Sequence, residues 1–122
     1  MVQIIDLMTK ADERGKLTVI ERCLPFEIKR VFYIYDVCDG KDRGGHGHKK
    51  TKIALICVSG SCDVYVNNGR EEQTFALSSP SCCLILEPED WHRLSNFTTG
   101  TVMMALASEY YDKDDYFYEI KK

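Results

Sequence analysis

The 122-residue sequence predicts a single all-β domain, built as a sandwich or barrel of short strands. The length suits one domain and leaves little room for a second. Short runs rich in β-branched and aromatic residues recur at spacings of about 8 to 15 residues, and turn-forming residues separate them. No stretch longer than about ten residues has the apolar spacing of a convincing amphipathic helix.

The first half of the chain contains four predicted strands. A strand at residues 2–5 is followed by a turn at 12–15, where polar residues and glycine stand together. A second strand follows at 16–21, and residues 31–37 are rich in residue types that strands favour. The fourth strand, residues 51–58, is almost continuously apolar.

The second half of the chain begins with a predicted hairpin. Ser59-Gly60 turns the chain into a strand at 62–66, which alternates polar and apolar residues. The sequence Asn67-Asn68-Gly69 predicts a tight turn, because Asn and Gly tolerate positive φ. A further turn is expected at 112–115, and the remaining predicted strands are 72–77, 83–86, 101–107 and 116–120.

Charge and hydropathy exclude several classes of partner. The net charge is −3 with both signs mixed along the chain, which argues against nucleic acid. No apolar run approaches the roughly 20 residues that span a bilayer, so no membrane partner is expected. Residues 1–10 lack the features of a signal peptide, so the sequence predicts a cytoplasmic protein.

The six cysteines are interpreted as reduced thiols. None forms a Cys-x-x-Cys pair, and most lie in or beside apolar runs, where a free thiol behaves as a small hydrophobic group. This interpretation agrees with a cytoplasmic location. A disulfide framework or a zinc knuckle remains the alternative.

The three histidines of the chain are the candidate functional residues. Two occur as His46-x-His48, and the third is His92. On a strand, residues two apart face the same side, about 6.6 Å apart, so the pair would place two imidazoles in one cavity. The alternative is that His46 and His48 are surface residues of a polar loop.

A glycine-rich polar loop at residues 39–45 precedes the histidine pair. Adjacent glycines allow the backbone to approach a ligand closely. Arg43 and Lys49 place positive charge beside the histidines in an otherwise acidic chain, and an arginine can pair with a phosphate through two hydrogen bonds.

These residues resemble the two motifs of the cupin family. Gly44-Gly45 before His46-x-His48 is similar to the first motif, and Pro88, His92 and Asn96 follow the order of the second. The resemblance extends over residues 31–107. It implies a jelly-roll β-barrel in a single domain, residues 1–122.

The same resemblance separates metal-binding from metal-free cupins. Metal-binding members usually carry a glutamate a few residues after His-x-His, whereas residues 49–53 contain no carboxylate and three lysines. We therefore expect no metal and no other cofactor. A zinc or iron site formed by the three histidines remains an alternative.

A closer resemblance rests on the segment Arg43 to Lys49, on Trp91 with Asn96-Phe97, and on residues 12–17, 29–37, 58–61 and 107–116. In order and spacing these segments are similar to the TDP-4-keto-6-deoxyglucose 3,4-ketoisomerases, metal-free cupins related to the sugar-nucleotide 3,5-epimerases. The resemblance implies a TDP-linked 4-keto-6-deoxyhexose as substrate. It also implies a homodimer that exchanges N-terminal strands, here residues 1–10, and a product that an aminotransferase converts into a 3-amino-3,6-dideoxy sugar for surface polysaccharides.

The implied reaction moves the ketone from C4 to C3 through an enediol. Imidazole titrates near neutral pH, so His48 and His46 are the expected proton-transfer residues, with their roles unassigned. Tyr35 or Tyr33 could act as a proton donor, and only one of them is expected to face the cavity. Arg43 is expected to stabilise the enediolate or to bind the pyrophosphate. The other expected substrate-binding residues are Arg14, Lys49, Trp91 and His92.

The family resemblance also bears on the configuration at C4. Members that form a galacto-configured product have an arginine near the N-terminal turn and a histidine after the tryptophan, which Arg14 and His92 match. Because Arg93 follows directly, a shift of one residue would favour the gluco product.

Two other functions stay open, a metal-dependent cupin enzyme with a three-histidine site and a non-catalytic sugar-binding cupin. The related 3,5-epimerases use a histidine with an aspartate partner and a tyrosine, and we see no such arrangement in the sequence.

The thymidine nucleotide follows from the resemblance alone. Tyr33, Tyr35, Tyr65 and Trp91 are possible stacking partners for a base.

Overall fold

The computed structural model describes residues 2–120, and within that range the chain forms strands, one short 3₁₀ turn at 113–115 and no α-helix. The all-β prediction is confirmed. The strands are β1 Gln3–Asp6, β2 Met8–Asp12, β3 Gly15–Val19, β4 Arg30–Tyr35, β5 Arg43–His48, β6 Ile53–Ser59, β7 Cys62–Asn67, β8 Glu72–Leu77, β9 Cys82–Leu86, β10 Trp91–Ser95, β11 Val102–Ala107 and β12 Tyr116–Phe117.

Two five-stranded antiparallel sheets pack face to face. The first sheet has the order β1-β9-β6-β11-β4, and the second has the order β12-β5-β10-β7-β8. The two central strands that carry the histidines, β5 and β10, are hydrogen-bonded neighbours in the second sheet. Strands β2 and β3 pair only with each other, as a separate two-stranded sheet.

Alternation along the strands places the main core between the two sheets. On β7, the side chains of Cys62, Val64 and Val66 are buried, while the residues between them are only half-buried. Leu94 on β10 and Met103 on β11 join the same cluster. Residues that share this inner face therefore point towards the space between the sheets.

A second apolar cluster covers the outer face of the first sheet. Ile56 and Ile85 are almost fully buried there, and the segment 20–26 packs over them. Both faces of β6 are thus buried, which explains why its sequence is almost continuously apolar.

The N-terminal segment divides where one strand was expected. Leu7 is buried and its N–H donates to the carbonyl of Ser81 at 2.7 Å, which separates β1 from β2. Strand β2 then leaves the first sheet and forms an exposed hairpin with β3, in which Met8 and Leu17 are 67% and 58% exposed.

Other expectations differ from the structure in detail. The hairpin at 67–69 and the turn at 112–115 are present, but the last strand covers only residues 116–117. The expected domain range 1–122 and the expected strand 1–10 include Met1, Lys121 or Lys122, which lie outside the described residues. All six cysteines are free, and three of them are buried.

No helix in the part of the chain that the structure describes is long and apolar enough to cross a membrane.

Two glycines at one end of the sandwich allow a test of the fold. Gly60 has φ +76°, and an added Cβ would lie 2.8 Å from Cα of Thr101, whereas a Cβ on Gly100, with φ +79°, would meet nothing within 4 Å. We expect Gly100→Ala to lower the free energy of unfolding by about 1 kcal/mol, from backbone strain alone. We expect Gly60→Ala to lower it by about 1 to 3 kcal/mol more, because the backbone of Thr101 must move. Urea unfolding monitored by Trp91 fluorescence measures both values, and equal losses would contradict the close packing of Gly60.

Candidate active site

The three imidazoles meet between the sheets. His46 on β5 lies opposite His92 on β10 in the strand register. The ring centroid of His46 lies 5.2 Å from that of His48 and 4.9 Å from that of His92. His48 and His92 are 4% and 5% exposed. The expectation that His46 and His48 face one side is confirmed, and a surface-loop interpretation does not fit this burial.

His48 is paired with a carboxylate that sequence reasoning missed. Its Nδ1 lies 3.1 Å from Oδ2 of Asp115, and both side chains are buried. Asp115 ends the 3₁₀ turn that precedes β12, and β12 pairs with β5 so that Tyr116 lies opposite His48. The acidic run at 112–115 was interpreted only as a turn, and nothing in it distinguished the one carboxylate that turns inward.

The Asp115 carboxylate is fixed by hydrogen bonds from several donors. The backbone N–H groups of Lys49 and Lys50 donate to Oδ1 at 3.1 and 2.8 Å, and the hydroxyl of Thr51 donates to Oδ2. Burial alone would raise the pKa of Asp115, but these bonds and the contact with His48 outweigh it and hold the pKa below its usual value. The carboxylate is therefore ionised and rigid at neutral pH.

The pairing determines which nitrogen of His48 is free. An ionised carboxylate can only accept, so Nδ1 of His48 carries the hydrogen and Nε2 carries the lone pair. Nε2 is buried and has no hydrogen-bond partner. Burial lowers the pKa of His48, and this effect exceeds the opposing effect of Asp115. His48 is thus neutral near pH 7 and can accept a proton at Nε2.

The other two histidines are also neutral. Burial, followed by repulsion from the other imidazoles, lowers the pKa of His92 to about 3. Burial and the neighbouring His48 lower the pKa of His46. Three neutral imidazoles can lie this close together, whereas three charged ones would repel each other.

A tyrosine completes the cluster. The ring centroid of Tyr116 lies 4.7 Å from that of His46 and 4.5 Å from that of His48. The next residue, Phe117, packs on the opposite face, where a Cβ at Gly47 would lie 2.3 Å from its ring. Glycine between the two histidines is therefore needed for β12 to pack closely on β5. Tyr116 was expected only as part of a terminal strand.

The structure thus contains a histidine with an aspartate partner and an adjacent tyrosine. The expectation that this epimerase-like arrangement is missing was wrong. His48 and Asp115 are 67 residues apart in the sequence, so no local pattern could show that they meet.

The structure places the two tyrosines of β4 away from the imidazoles. Phe32 and Ile34 pack against the core between the sheets, so Tyr33 and Tyr35 point to the outer face of the first sheet. They are 62% and 58% exposed, and their rings stack 5.8 Å apart. Residues two apart on a strand share a face, so the expectation that only one of them could face the cavity is corrected. Neither does so in this chain.

Trp91 also points away from the imidazoles. It precedes His92 on β10 and points to the outer face of the second sheet, beside Tyr65. Its indole N–H donates to the carbonyl of Tyr118 at 3.0 Å, so it holds the C-terminal segment. The same alternation places His92 inside and leaves Arg93 exposed.

The three expected cationic residues are exposed. Arg43 begins β5 close enough to His46 to lower its pKa. Lys49 follows His48, with its backbone rather than its side chain contacting Asp115. Arg14 lies in the turn of the β2–β3 hairpin, where its guanidinium pairs with Asp12 at 2.7 Å. No contact joins Arg14 to the imidazoles within this chain.

Residues 2–120 contain no group of three or more histidine, cysteine, aspartate or glutamate side chains arranged to hold a metal ion. The bond between Nδ1 of His48 and Asp115 leaves Nε2 as the nitrogen that could bind a ligand. The three-histidine metal site that was left open is not among the side-chain groups of these residues that could hold a metal ion.

Comparisons with known proteins agree with the family resemblance. The family model described as "FdtA: WxcM-like, C-terminal" matches residues 1–122. TDP-4-oxo-6-deoxy-alpha-D-glucose-3,4-oxoisomerase from Aneurinibacillus thermoaerophilus is 42% identical over 116 residues, which cover 93% of this chain and 84% of that protein.

Solved structures give the same result. The QdtA 3,4-ketoisomerase from Thermoanaerobacterium thermosaccharolyticum, a double mutant in complex with TDP, has a TM-score of 0.94 and 43% identity, covering 97% of this chain and 87% of that one. The dTDP-4-dehydrorhamnose 3,5-epimerase from Bacillus anthracis has a TM-score of 0.83, covering 94% of this chain and 76% of that one. Its identity is 16%, so this likeness concerns the fold alone.

The expected cupin barrel is confirmed by these likenesses and by the two-sheet architecture. The match extends over the strands that carry His46, His48 and His92 and over the segment that carries Asp115. The chain belongs to the FdtA family of sugar-nucleotide 3,4-ketoisomerases.

Proposed function

We propose that this chain converts TDP-4-keto-6-deoxy-D-glucose into a TDP-3-keto-6-deoxyhexose by histidine-mediated proton transfer. The observation that carries the proposal is the buried pair of His48 and Asp115, which leaves an unprotonated Nε2 inside an enclosed cluster of neutral imidazoles. A general base needs this protonation state at the pH at which it works.

The reaction needs proton transfers and no external oxidant or reductant. Removal of the proton from C3, which lies beside the C4 ketone, sends the electron pair of the C–H bond towards O4 and forms an enediolate. The hydroxyl proton of O3 is then lost and a proton is gained at O4. A proton returns to C4, which leaves the ketone at C3.

His48 is the base that removes the proton from C3 in this mechanism. Asp115 is a positioning residue, since it contacts His48 and not the substrate: it keeps the hydrogen on Nδ1 and stabilises the imidazolium that forms. His46 is adjacent and exchanges protons between O3 and O4. A second imidazole at 5.2 Å is within reach of the neighbouring oxygen.

Tyr116 replaces Tyr35 and Tyr33 as the tyrosine of this mechanism. Its ring contacts both His46 and His48, whereas the two tyrosines of β4 lie on an outer face. The phenol can donate a hydrogen bond to a sugar oxygen while the imidazoles change their protonation state.

The nucleotide end of the substrate carries negative charge, and Arg43 and Lys49 lie at opposite ends of the histidine strand, about 20 Å apart along it. We assign Arg43 to the diphosphate, and Lys49 stays a predicted substrate-binding residue. Trp91 is left out of the binding site, because its indole is occupied by the C-terminal segment.

A homodimer supplies the remaining substrate-binding residue. The β2–β3 hairpin is exposed and carries apolar side chains, and Arg14 at its tip has no contact with the imidazoles of its own chain. In a two-fold dimer that exchanges N-terminal segments, Arg14 would reach the site of the partner subunit and act there together with His92.

Further parts of the proposal follow from the family resemblance. The product has the galacto configuration, and an aminotransferase uses it to form a 3-amino-3,6-dideoxy sugar for surface polysaccharides. The protein is cytoplasmic and forms a single domain over 1–122. It has no metal, nucleic-acid or membrane partner. Arg14 and the inward-facing His92 support the galacto configuration.

The first test is the reaction itself. Chelator-treated protein is incubated with TDP-4-keto-6-deoxyglucose in deuterated water, and NMR follows C3 and C4. We expect a 3-keto product with deuterium at C4, and we expect His48→Asn to lower the rate by about 10² to 10⁴, because the base is lost. The coupling at H4 of unexchanged product reports the galacto or gluco configuration. Ligand binding without exchange would instead indicate a binding protein, and activity only after a metal is added would indicate a metal enzyme.

The pH profile tests the role of Asp115. The pKa of His48 lies below its ordinary value of 6.5, so the acidic limb of kcat/KM is expected below pH 6.5. Asp115 raises the pKa of His48, so Asp115→Asn should move this limb to lower pH and reduce kcat by about 10² to 10⁴. Asp112→Asn is the matched control, since it removes a partly exposed carboxylate of the same turn that pairs with Lys50 and not with His48. An unmoved limb in Asp115→Asn would refute the pairing.

Mixing two inactive variants tests the dimer. Arg14→Ala should lose activity if Arg14 binds substrate, and His48→Asn should lose activity for a different reason. After subunit exchange, one site of each mixed dimer regains both residues if the hairpin crosses to the partner. About one quarter of the wild-type activity should then return. Full activity of Arg14→Ala alone, or no recovery on mixing, would contradict the exchange.

A further inference from the structure

Two buried nitrogen atoms stand out among residues 2–120. The buried side-chain nitrogen and oxygen atoms without a hydrogen-bond partner there are Nε of Arg30 and Nε2 of His48. An unpaired buried donor or acceptor costs free energy, and proteins keep few of them. The free Nε2 of His48 is explained by its role as a base, whereas nothing described so far explains Arg30.

The position of Arg30 brings its charge near the imidazole of His48. It begins β4 in the first sheet and shares the inner face with Phe32, which packs against the core. His48 ends β5 in the facing sheet. The guanidinium charge is close enough to His48 to contribute to the lowered pKa of that imidazole. The two unpartnered nitrogens therefore belong to side chains on the inner faces of opposite sheets.

Aromatic rings hold the guanidinium in place. Its central carbon lies 5.1 Å from the ring centroid of Phe32 and 5.7 Å from that of Tyr111. Tyr111 contacts Tyr116, which in turn contacts His48. Stacking restricts the side chain but uses none of its N–H donors.

We propose that Arg30 is a catalytic residue that donates a hydrogen bond to the sugar oxygen on which negative charge develops as His48 removes the proton from C3. This assignment rests on the proposed function. The proton moves to Nε2 of His48, the electron pair of the C–H bond forms the double bond between C3 and C4, and the π pair of the C4 carbonyl moves onto O4. Arg30 keeps all its protons and stabilises this charge.

The location distinguishes Arg30 from Arg43. Arg43 was expected to stabilise the enediolate or to bind pyrophosphate, but its side chain is exposed at the start of β5. Arg30 lies on the sheet that faces His48, and its Nε is buried, where a fixed charge acts more strongly than in water. The enediolate is therefore assigned to Arg30 and the diphosphate to Arg43.

The experiment compares Arg30→Met, Arg30→Lys and the control Arg70→Met, which changes an exposed arginine in the turn between β7 and β8. For each variant, kcat and deuterium exchange are measured by NMR, TDP affinity by calorimetry, and folding by thermal unfolding. We expect Arg30→Met to lower kcat and exchange by about 10² to 10³, with the Kd for TDP unchanged within about twofold. Arg30→Lys keeps the positive charge but lacks the planar guanidinium, so we expect it to lower kcat by about tenfold.

The outcomes separate the proposals. A tenfold weaker affinity for TDP with kcat retained would assign Arg30 to the diphosphate and overturn the proposal, as would a kcat within about twofold of wild type. If Arg30→Met does not fold, the same criteria apply to Arg30→Lys. If the wild-type protein forms no 3-keto product, the proposed function fails and this assignment fails with it.

Discussion

The buried contact between His48 and Asp115 is the interaction on which the candidate site depends. It joins the end of β5 to the turn before β12, and backbone N–H groups of residues 49 and 50 and the hydroxyl of Thr51 complete it. The same carboxylate determines the tautomer of His48 and so directs its lone pair into the cavity. Removal of the carboxylate would leave a buried imidazole, the backbone N–H of Lys50 and the hydroxyl of Thr51 without this partner, so one contact serves both the structure and the chemistry.

Much of the sandwich could be predicted from local patterns. Alternation predicted β7, the Asn-Asn-Gly turn predicted its hairpin with β8, and an apolar run predicted β6. For the strands that carry the histidines, the shared face of His46 and His48 was predicted but no bounds were, because Gly44 and Gly45, both with φ near +80°, and the polar residues before Trp91 resemble loops. A strand that lines a ligand cavity lacks the apolar alternation of one that lines a core.

The residues of the candidate site likewise include some that the sequence could predict and some that it could not. His46, His48 and His92 could be found because two share a motif and the third is the only other histidine in the chain. Asp115 and Tyr116 could not, because their approach to His48 depends on β12 pairing with β5. For Tyr33 and Tyr35, the sequence defines a shared face, but only packing decides which face is inside. Phe32 and Ile34 fill the core and leave the tyrosines outside.

The connection between the C-terminal segment and β5 has a consequence for the order of synthesis. A nascent chain leaves the ribosome from its N-terminus, so His48 emerges 67 residues before its carboxylate partner. Strands β1 to β11 make all the pairings of the two five-stranded sheets except that of β12 with β5. Alignment of the base therefore depends on the docking of the last segment, and a translation product that stops after β11 would keep all three imidazoles but lack the carboxylate that aligns the proton acceptor.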